Sequence, residues 1–486
     1  MTHFDQAAVA VAGEGGRVLD RDALQAEAGA FARRLREEGV RVLATLFDNS
    51  PAWVVVDLAA ELAGVVHVPL PAFFTPEQVR HALSAAGVDA VLVATALASR
   101  WAPAPAQSIA LLEQALSLIR LPARVTPLPA GTSKITFTSG TTGTPKGVCL
   151  TPEAMRGVAA GLVQVLGPLG LRRHLNALPF AVLLENVAGV LAPLAAGGMC
   201  IALPLAQVGL SGSSSFDPAK LQAAMEASDA DSLILLPQML AAWTGWLRAS
   251  GRRAPASLRF VAVGGAAVGA ATLLAARACG IPAYEGYGLS EGCSVQTLNL
   301  PGADHPGSAG RPLPHARVRI AGDGEVEVSG SLMAGYLGES APAPEWWPTG
   351  DLGRLDADGF LHVEGRKKNV LITGFGRNVS PEWVETALRQ QAGIGEAVVY
   401  GDAQPALSAV LWPLPGVSDE QLRRCVAGAN ERLPDYARVA HWVRARAPFS
   451  AGSGLATANG RARRPAILAA HPEVLASVSH TPTESP

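Results

Sequence analysis

One ten-residue stretch, Thr138-Ser139-Gly140-Thr141-Thr142-Gly143-Thr144-Pro145-Lys146-Gly147, constrains this chain more than any other. The β-prone run Ile135-Thr136-Phe137 precedes it. Val148-Cys149-Leu150 follows, then Thr151-Pro152-Glu153-Ala154, which reads as a helix start. The stretch is therefore a loop between ordered elements. Its three glycines allow tight turning and close approach of backbone to ligand. Its five hydroxyls and successive N–H groups suit phosphate oxygens, in the manner of an anion-binding nest. Lys146 adds a compact ammonium. It is one of only five lysines among 39 basic residues, so a lysine inside this loop stands out in a chain that prefers arginine. The loop is not a Walker A motif, which needs Gly before the Lys and Ser or Thr after it; Pro145 and Gly147 occupy those places.

The flanking sequence alternates. Asp20 to Gly39 reads as an amphipathic helix, Arg41–Phe47 as a strand, Trp53–Leu62 as a helix behind Asp48-Asn49-Ser50-Pro51, and Val65–Leu70 as a strand. Thr75-Pro76-Glu77-Gln78 is a capping box whose helix stops at Gly87, and Val88–Val93 is a strand again. Such alternation predicts α/β units around a largely parallel sheet. Residues 94–130 carry weak periodicity and predict a partly helical connection, and Gln207–Pro218 predicts a loop. From 304 to 330 the pattern turns to alternation, as in Ala316-Arg317-Val318-Arg319-Ile320, which predicts antiparallel strands. Beyond Asn369 the sequence reads as a small α+β unit, with a helix from Pro381, strands at Glu396–Tyr400 and Leu407–Trp412, and a helix boxed by Ser418 and Gln421.

Four further stretches carry chemistry. Gly264-Gly265-Ala266 ends the strand Phe260–Val263, where a ligand can approach backbone, although a plain turn reads the same way. Tyr284-Glu285-Gly286-Tyr287-Gly288-Leu289-Ser290-Glu291 combines an aromatic plane, glycines, a hydroxyl and a carboxylate. Tyr287 can stack on a base, Ser290 can bond a phosphate oxygen, and Glu291 can ligate a hard cation such as Mg²⁺. Asp351 in Thr349-Gly350-Asp351 precedes a hairpin whose turn is Asp356-Ala357-Asp358-Gly359. Gly365-Arg366-Lys367-Lys368 places two of the five lysines together.

In this order these stretches resemble the adenylate-forming superfamily, which includes acyl- and aryl-CoA synthetases, luciferases and peptide-synthetase adenylation domains. The resemblance runs from about residue 40 to residue 464. It implies an α/β fold: a large N-terminal domain of parallel-rich sheets with helices (1–367) that includes a β subdomain (about 304–366), and a small mobile α+β C-terminal lid (368–486) ending in a disordered tail. It implies that ATP and a carboxylic acid give an acyl-adenylate and pyrophosphate, and that a thiol, most often that of coenzyme A, then displaces AMP. Thr138, Ser139, Gly140, Thr141, Thr142, Gly143 and Lys146 would bind phosphate. Gly264, Gly265 and Ala266 would lie against adenine, with Tyr287, Gly288 and Ser290 around the nucleotide and Glu291 on Mg²⁺. Asp351 would accept the ribose hydroxyls, Arg366 would contact the nucleotide, and Lys368 would stand at the hinge. The acid would lie against Phe180, Glu185, Gly286 and Cys293, and Gly374 would line the path of the thiol.

One departure matters. Relatives usually carry Lys where Arg461 stands, and no lysine follows Lys368. Arg461 keeps the charge but is larger and differently aimed. Three readings of Arg461 therefore stay open: it does the lysine's work, the first half-reaction is slow or needs different positioning, or the chain has lost adenylation and binds its ligand without turnover. Separately, the acceptor is open between coenzyme A and a separate carrier protein, an amine or another nucleophile.

Composition excludes other classes. Net charge is −2, without the basic excess of a nucleic-acid binder. The apolar stretch 177–206 is broken by Glu185-Asn186, so it predicts buried core and no membrane span. Five scattered cysteines and a start without signal-peptide character fit a reducing cytoplasm.

Overall fold

The computed structural model describes residues 9–476 apart from 102–103, 105, 113, 123–124, 139–144, 212–214, 340–342, 374–377, 403 and 458–459. Helix starts follow their caps. Asp20, Ser50, Thr75 and Thr151 each accept a backbone N–H at the head of Arg21–Glu37, Pro51–Ala63, Pro76–Ala85 and Pro152–Leu166. Such a cap stabilises by about 1 kcal/mol. The boxes at Thr75/Gln78 and Ser418/Gln421 both form reciprocally.

Two large sheets make the body. One runs, in spatial order, Arg311–Pro312, Ser294–Leu298, Ala283–Leu289, Phe260–Val263, Ser232–Leu235, Arg173–Leu175, Met199–Ala202, Val9–Gly13 and Val18–Asp20. Its central strands are parallel and its ends antiparallel. The other is centred on the parallel strands Val66–Pro69, Val42–Leu46 and Ala90–Ala94. On one side it continues through Lys134–Thr138 and Lys146–Leu150 to Gly335–Tyr336. A four-stranded antiparallel sheet (Ala316–Ile320, Glu325–Gly330, Trp347–Leu355, Leu361–Arg366) forms the β subdomain. The C-terminal unit packs helices Pro381–Arg389 and Asp419–Asn430 on a sheet of Ile394–Tyr400, Leu407–Pro413 and Val439–Arg444.

Two expectations fail. Residues 94–130 are not mainly helical: after a short 3₁₀ stretch at Thr95–Trp101, Ala106–Leu111 and Gln114–Arg120 form a hairpin on the edge strand Ala90–Ala94. Ala and Leu favour helix locally, but pairing with a waiting edge buries Leu116, Leu118 and Ile119 completely and overrides that preference. Within Gln207–Pro218, Leu210–Ser211 pairs with Ser215–Phe216, a short antiparallel ladder in the expected loop.

The segment after the phosphate-loop helix is unusual. Glu185–Leu191 is π-helical. Pro193 has no N–H to offer the Gly189 carbonyl four residues earlier. Asn176 Nδ2 (2.7 Å) and Cys200 Sγ (3.5 Å) donate to that carbonyl instead, so the widened turn is held from outside the helix. Beneath it lies a buried network. The Asp57 carboxylate accepts from His67 Nδ1 (2.6 Å), Lys134 Nζ (2.8 Å) and Asn186 Nδ2 (2.9 Å), and His67 Nε2 meets Thr45 Oγ1 at 2.9 Å. This network pins helix Pro51–Ala63, three sheet strands and the π-helical turn to each other. It also explains Lys134, whose ammonium is structural.

Candidate active site

Tyr287, Glu291, Asp351, Arg366 and Arg461, five of the expected site residues, come together where these sheets meet. The strand Ala283–Leu289 runs out past Phe260–Val263 and delivers Tyr287, then Ser290 and Glu291 in a single 3₁₀ turn. Tyr287 Oη donates to Asp351 Oδ2 at 2.6 Å. Across the hairpin Asp351 pairs in register with Arg366, and Arg366 Nε lies 2.6 Å from Asp351 Oδ1. Both carboxylate oxygens are thus held from opposite sides, with lone pairs remaining for further donors. Burial raises the Asp351 pKa above the usual aspartate value, while Arg366 and the Tyr287 hydroxyl pull it down. The same burial and the adjacent Asp351 push the Tyr287 phenol well up, so it stays a donor.

Glu291 is tied to the phosphate-loop strand through a residue the sequence reading missed. Tyr336 Oη donates to Glu291 Oε1 at 2.8 Å, and Lys146 Nζ sits 4.9 Å from the centre of the Tyr336 ring. Tyr336 reaches this position because Gly335–Tyr336 adds to the edge of Lys146–Leu150. The available signal was weak: a Gly-Tyr pair in a chain with five tyrosines. His81 Nε2, also unanticipated, meets the Pro145 carbonyl at 3.0 Å and anchors the loop's exit. Thr138 ends its strand opposite Lys146. Ser139, Gly140, Thr141, Thr142 and Gly143 lie outside the described residues, as does Gly374.

The C-terminal unit supplies Arg461. A tight turn holds it: Thr457 N donates to the Arg461 carbonyl (2.7 Å), and Arg461 N donates to Thr457 Oγ1 (3.1 Å). Arg464 anchors the turn on Glu385 at 2.6 Å. Gly460, at φ +74°, passes helix Pro237–Ser250, and a Cβ there would meet Gln238 Oε1 at 3.2 Å. Desolvation and the Arg366 cation push Arg461 below its ordinary value, while Asp351, Glu291 and Tyr287 act in the opposite sense. The residue as a whole remains exposed, so this shift reflects crowding in a cleft and leaves the guanidinium charged. Lys368 is lowered by desolvation and by the same two arginines. Arg366, Lys368 and Arg461 therefore concentrate positive charge beside two carboxylates. Lys367, in contrast, turns away to Asp323 (2.6 Å) and Glu325 (2.7 Å).

A cavity of about 400 Å³ opens at this point. Its lining includes Gly264, Gly265, Tyr287, Ser290 and Arg461, apolar side chains such as Leu162, Val182, Ala188, Ile234 and Phe260, and also Arg172 and Arg173. Gly286 and Gly288 line it, but what requires glycine there is the neighbouring strand. A Cβ at Gly288 would stand 2.0 Å from the Ser294 carbonyl oxygen, and one at Gly286 would stand 3.0 Å from that of Thr297.

Three expected pocket residues are not part of this lining. Phe180 points into the core against Trp53, with ring centres 5.2 Å apart. Glu185 is wholly buried behind the wall, accepting from Asn176 Nδ2 at 2.8 Å, and it does not cap a helix. Cys293 is buried in the core formed with Val148, Leu150 and Val187, and burial pushes its thiol up to about 12. Leu178, Pro179, Val182, Leu183 and Leu184 of the same segment reach the cavity where Phe180 and Glu185 do not.

Comparison with known families decides the class. Residues 2–337 match the model described as AMP-binding enzyme, and residues 368–478 match the AMP-binding enzyme C-terminal domain. The chain belongs to the AMP-binding enzyme family. It is 32% identical over 426 residues to the feruloyl-CoA synthase of Amycolatopsis sp, covering 80% of this chain and 82% of that protein. A long-chain-fatty-acid–CoA ligase of Mycobacterium bovis is 40% identical over 154 residues, which are 30% of this chain and only 26% of that ligase. The O-succinylbenzoate coenzyme A synthetase of Bacillus subtilis, solved in complex with AMP, superposes with TM-score 0.75 at 25% identity, over 94% of this chain and 95% of that one. An anthranilate CoA ligase in complex with anthranoyl-AMP shares the fold, with TM-score 0.79 at 20% identity and coverage of 97% and 95%. The relatives in this family are acyl- and aryl-CoA ligases, and no helix among the described residues is long and apolar enough to cross a membrane.

Proposed function

We propose that this chain uses ATP to convert a carboxylic acid with an apolar fatty or aromatic body into its acyl-adenylate, releasing pyrophosphate, and then passes the acyl group to the thiol of coenzyme A. The observation that carries this reading is that one cavity joins a mostly apolar wall to Tyr287, Ser290 and Arg461. An acid seated with its tail in the cavity presents its carboxylate to the place where the nucleotide residues meet. His174 and Ser232 in the cavity wall meet each other (3.1 Å).

The acid is its own nucleophile, so the chain's task is positioning and charge stabilisation. Asp351 holds the ribose, with Tyr287 and Arg366 fixing the orientation of its carboxylate. Lys146 and the hydroxyl loop hold the phosphate tail. Arg461 stands between the incoming carboxylate and the α-phosphate and offsets repulsion between two anions. Glu291 suits Mg²⁺: among the described residues it accepts one hydrogen bond, from Tyr336, which leaves a carboxylate oxygen for a hard cation. Bound there, Mg²⁺ supplies charge neutralisation to the phosphates. A solved relative holds ATP and a magnesium ion together.

The acceptor admits a second reading. An amide bond synthetase of Marinactinospora thermotolerans has TM-score 0.77 to this chain at 25% identity. That supports transfer to an amine as the alternative, beside a separate acyl carrier protein. The test is pyrophosphate release with ATP, Mg²⁺ and a panel of fatty and aromatic acids, with and without coenzyme A. Release together with a new thioester supports the proposal. Release without a CoA product favours the alternative, and nucleotide binding without release across the panel refutes both.

A further inference from the structure

Away from the cleft, three metal-ligating side chains meet on the outer end of the β subdomain. His305 Nδ1 lies 3.1 Å from Asp356 Oδ2, and His362 Nε2 lies 2.9 Å from the same oxygen. All three donor atoms fall within 4.8 Å of one another, and they form the one such group among the described residues. We propose that His305, Asp356 and His362 bind a divalent transition metal of the zinc type.

Two imidazoles and one carboxylate are the donor set of borderline-soft divalent ions, and Mg²⁺ does not favour it. Zinc–ligand distances of ~2.0–2.1 Å place neighbouring ligand atoms of a tetrahedron roughly 3.3 Å apart. The two separations to Asp356 Oδ2 are close to that edge. A small outward turn of His305, whose side chain is half exposed, opens the remaining room.

The donors are held by their surroundings. Asp356 Oδ1 accepts from the backbone N–H groups of Asp358 (3.1 Å) and Phe360 (2.9 Å), which leaves Oδ2 facing the histidines. His305 N donates to Oδ1 of the wholly buried Asn299 (2.9 Å), and Asn299 Nδ2 is itself bound to the Glu285 and Ser308 carbonyls. The His305 ring packs edge-on to Phe360 and to His362, with centres at 5.5 and 5.3 Å. Arg311 stacks on the other partner of that packing, Phe360, at 4.3 Å from the ring centre.

Such a centre ties the 299–308 loop to the hairpin that carries Asp351 and Arg366 at its other end. With neutral histidines, binding replaces the two N–H donors to Asp356 by lone pairs, and each ring proton moves to its other nitrogen. The fourth position faces solvent.

The test uses the full-length, tag-free protein, stripped with chelator and titrated with Zn²⁺ in excess Mg²⁺ by calorimetry and thermal melting. Expected are one equivalent bound, a rise in melting temperature, and loss of both in H305A and in the H305A/H362Q double variant. Cu²⁺ at the same site gives an electron paramagnetic resonance signal with two-nitrogen coupling in the native protein and one-nitrogen coupling in H305A. No uptake in excess Mg²⁺, or uptake and nitrogen coupling unchanged in the double variant, overturns the proposal. Pyrophosphate release plays no part in these readouts, so their failure leaves the ligase reading untouched.

Discussion

Arg461→Ala is the variant that discriminates best among readings of the active site. Arg461 is carried by the C-terminal unit to a point where Arg366 and Lys368 already lie, facing Asp351 and Glu291. Among the described residues it pairs with no carboxylate at contact distance; its effect on Asp351 is through space. Its removal therefore leaves no buried charge orphaned, and the folded state loses little. The cost falls on the reaction, where two anions must approach each other. Removing one preorganised donor from such a site costs about 2.7–4 kcal/mol, or roughly 10²–10³ in rate. Arg461→Lys keeps the charge on a slimmer head and is expected within about tenfold of the native rate, a difference of about 1.4 kcal/mol. The assay is ATP–pyrophosphate exchange with the best acid, beside nucleotide affinity by calorimetry and the melting temperature of each variant. An Arg461→Ala protein with native exchange rate would remove this residue from the mechanism. A large gain in Arg461→Lys would mean instead that the native arginine impairs adenylation.

Tyr336→Phe deletes one hydrogen bond to the Glu291 carboxylate, worth about 1.5–3 kcal/mol when the acceptor is charged, and should raise the Mg²⁺ concentration needed for half-maximal rate roughly tenfold or more. An unchanged Mg²⁺ profile would detach Tyr336 from the metal. Gly189→Ala sets a Cβ 2.8 Å from Glu185 Oε1 and 2.9 Å from Asn176 Nδ2, both buried, and should destabilise by about 1–3 kcal/mol in urea unfolding; a neutral result would mean the π-helical turn relaxes freely. Asp57→Ala strands Lys134 and His67 in the core and should cost about 3–5 kcal/mol by the same measurement, with a loss under about 1 kcal/mol contradicting the buried network. Burial pushes Glu285 up to about 7, against 4.5 for a free glutamate, although the backbone N–H groups of Val268 (3.0 Å) and Gly269 pull the other way. A raised carboxyl pKa means the folded state holds its proton longer than the unfolded chain does. Its stability is then fully present below about pH 4.5 and declines as pH climbs toward 7, by about 3 kcal/mol at most. Glu285→Gln should flatten that part of the pH–stability curve; an identical slope in native and variant protein would contradict the shift.

Local rules carried far in this chain. A cap needs only neighbours in sequence, so Thr75/Gln78, Ser380/Pro381 and Ser418/Gln421 could be read directly, and the helices begin there. Hairpin turns behave likewise: Asp356 to Gly359 sets the register of Leu355 opposite Leu361, but a bulge beyond Gly353 is what brings Asp351 opposite Arg366, and nothing local announced it. Nucleotide motifs were legible for a related reason, since a phosphate or a ribose demands several donor types within a few residues of backbone. Side-chain direction is a different kind of property. Phe180 and Glu185 sit in a segment that does approach the cavity, yet the core claimed both, because Trp53 and Asn176 arrive from elements far away in sequence. Tyr336 joined Glu291 to Lys146 only once an edge strand docked, and Arg461 met Asp351, Glu291 and Arg366 only once the C-terminal unit lay over the cleft. The family, the reaction's donors and the helix starts are written in short-range chemistry, which a single stretch of chain can satisfy alone. Which wall a side chain faces, and which charges crowd one point, is decided by packing between distant segments, because burial free energy depends on what fills the opposite side.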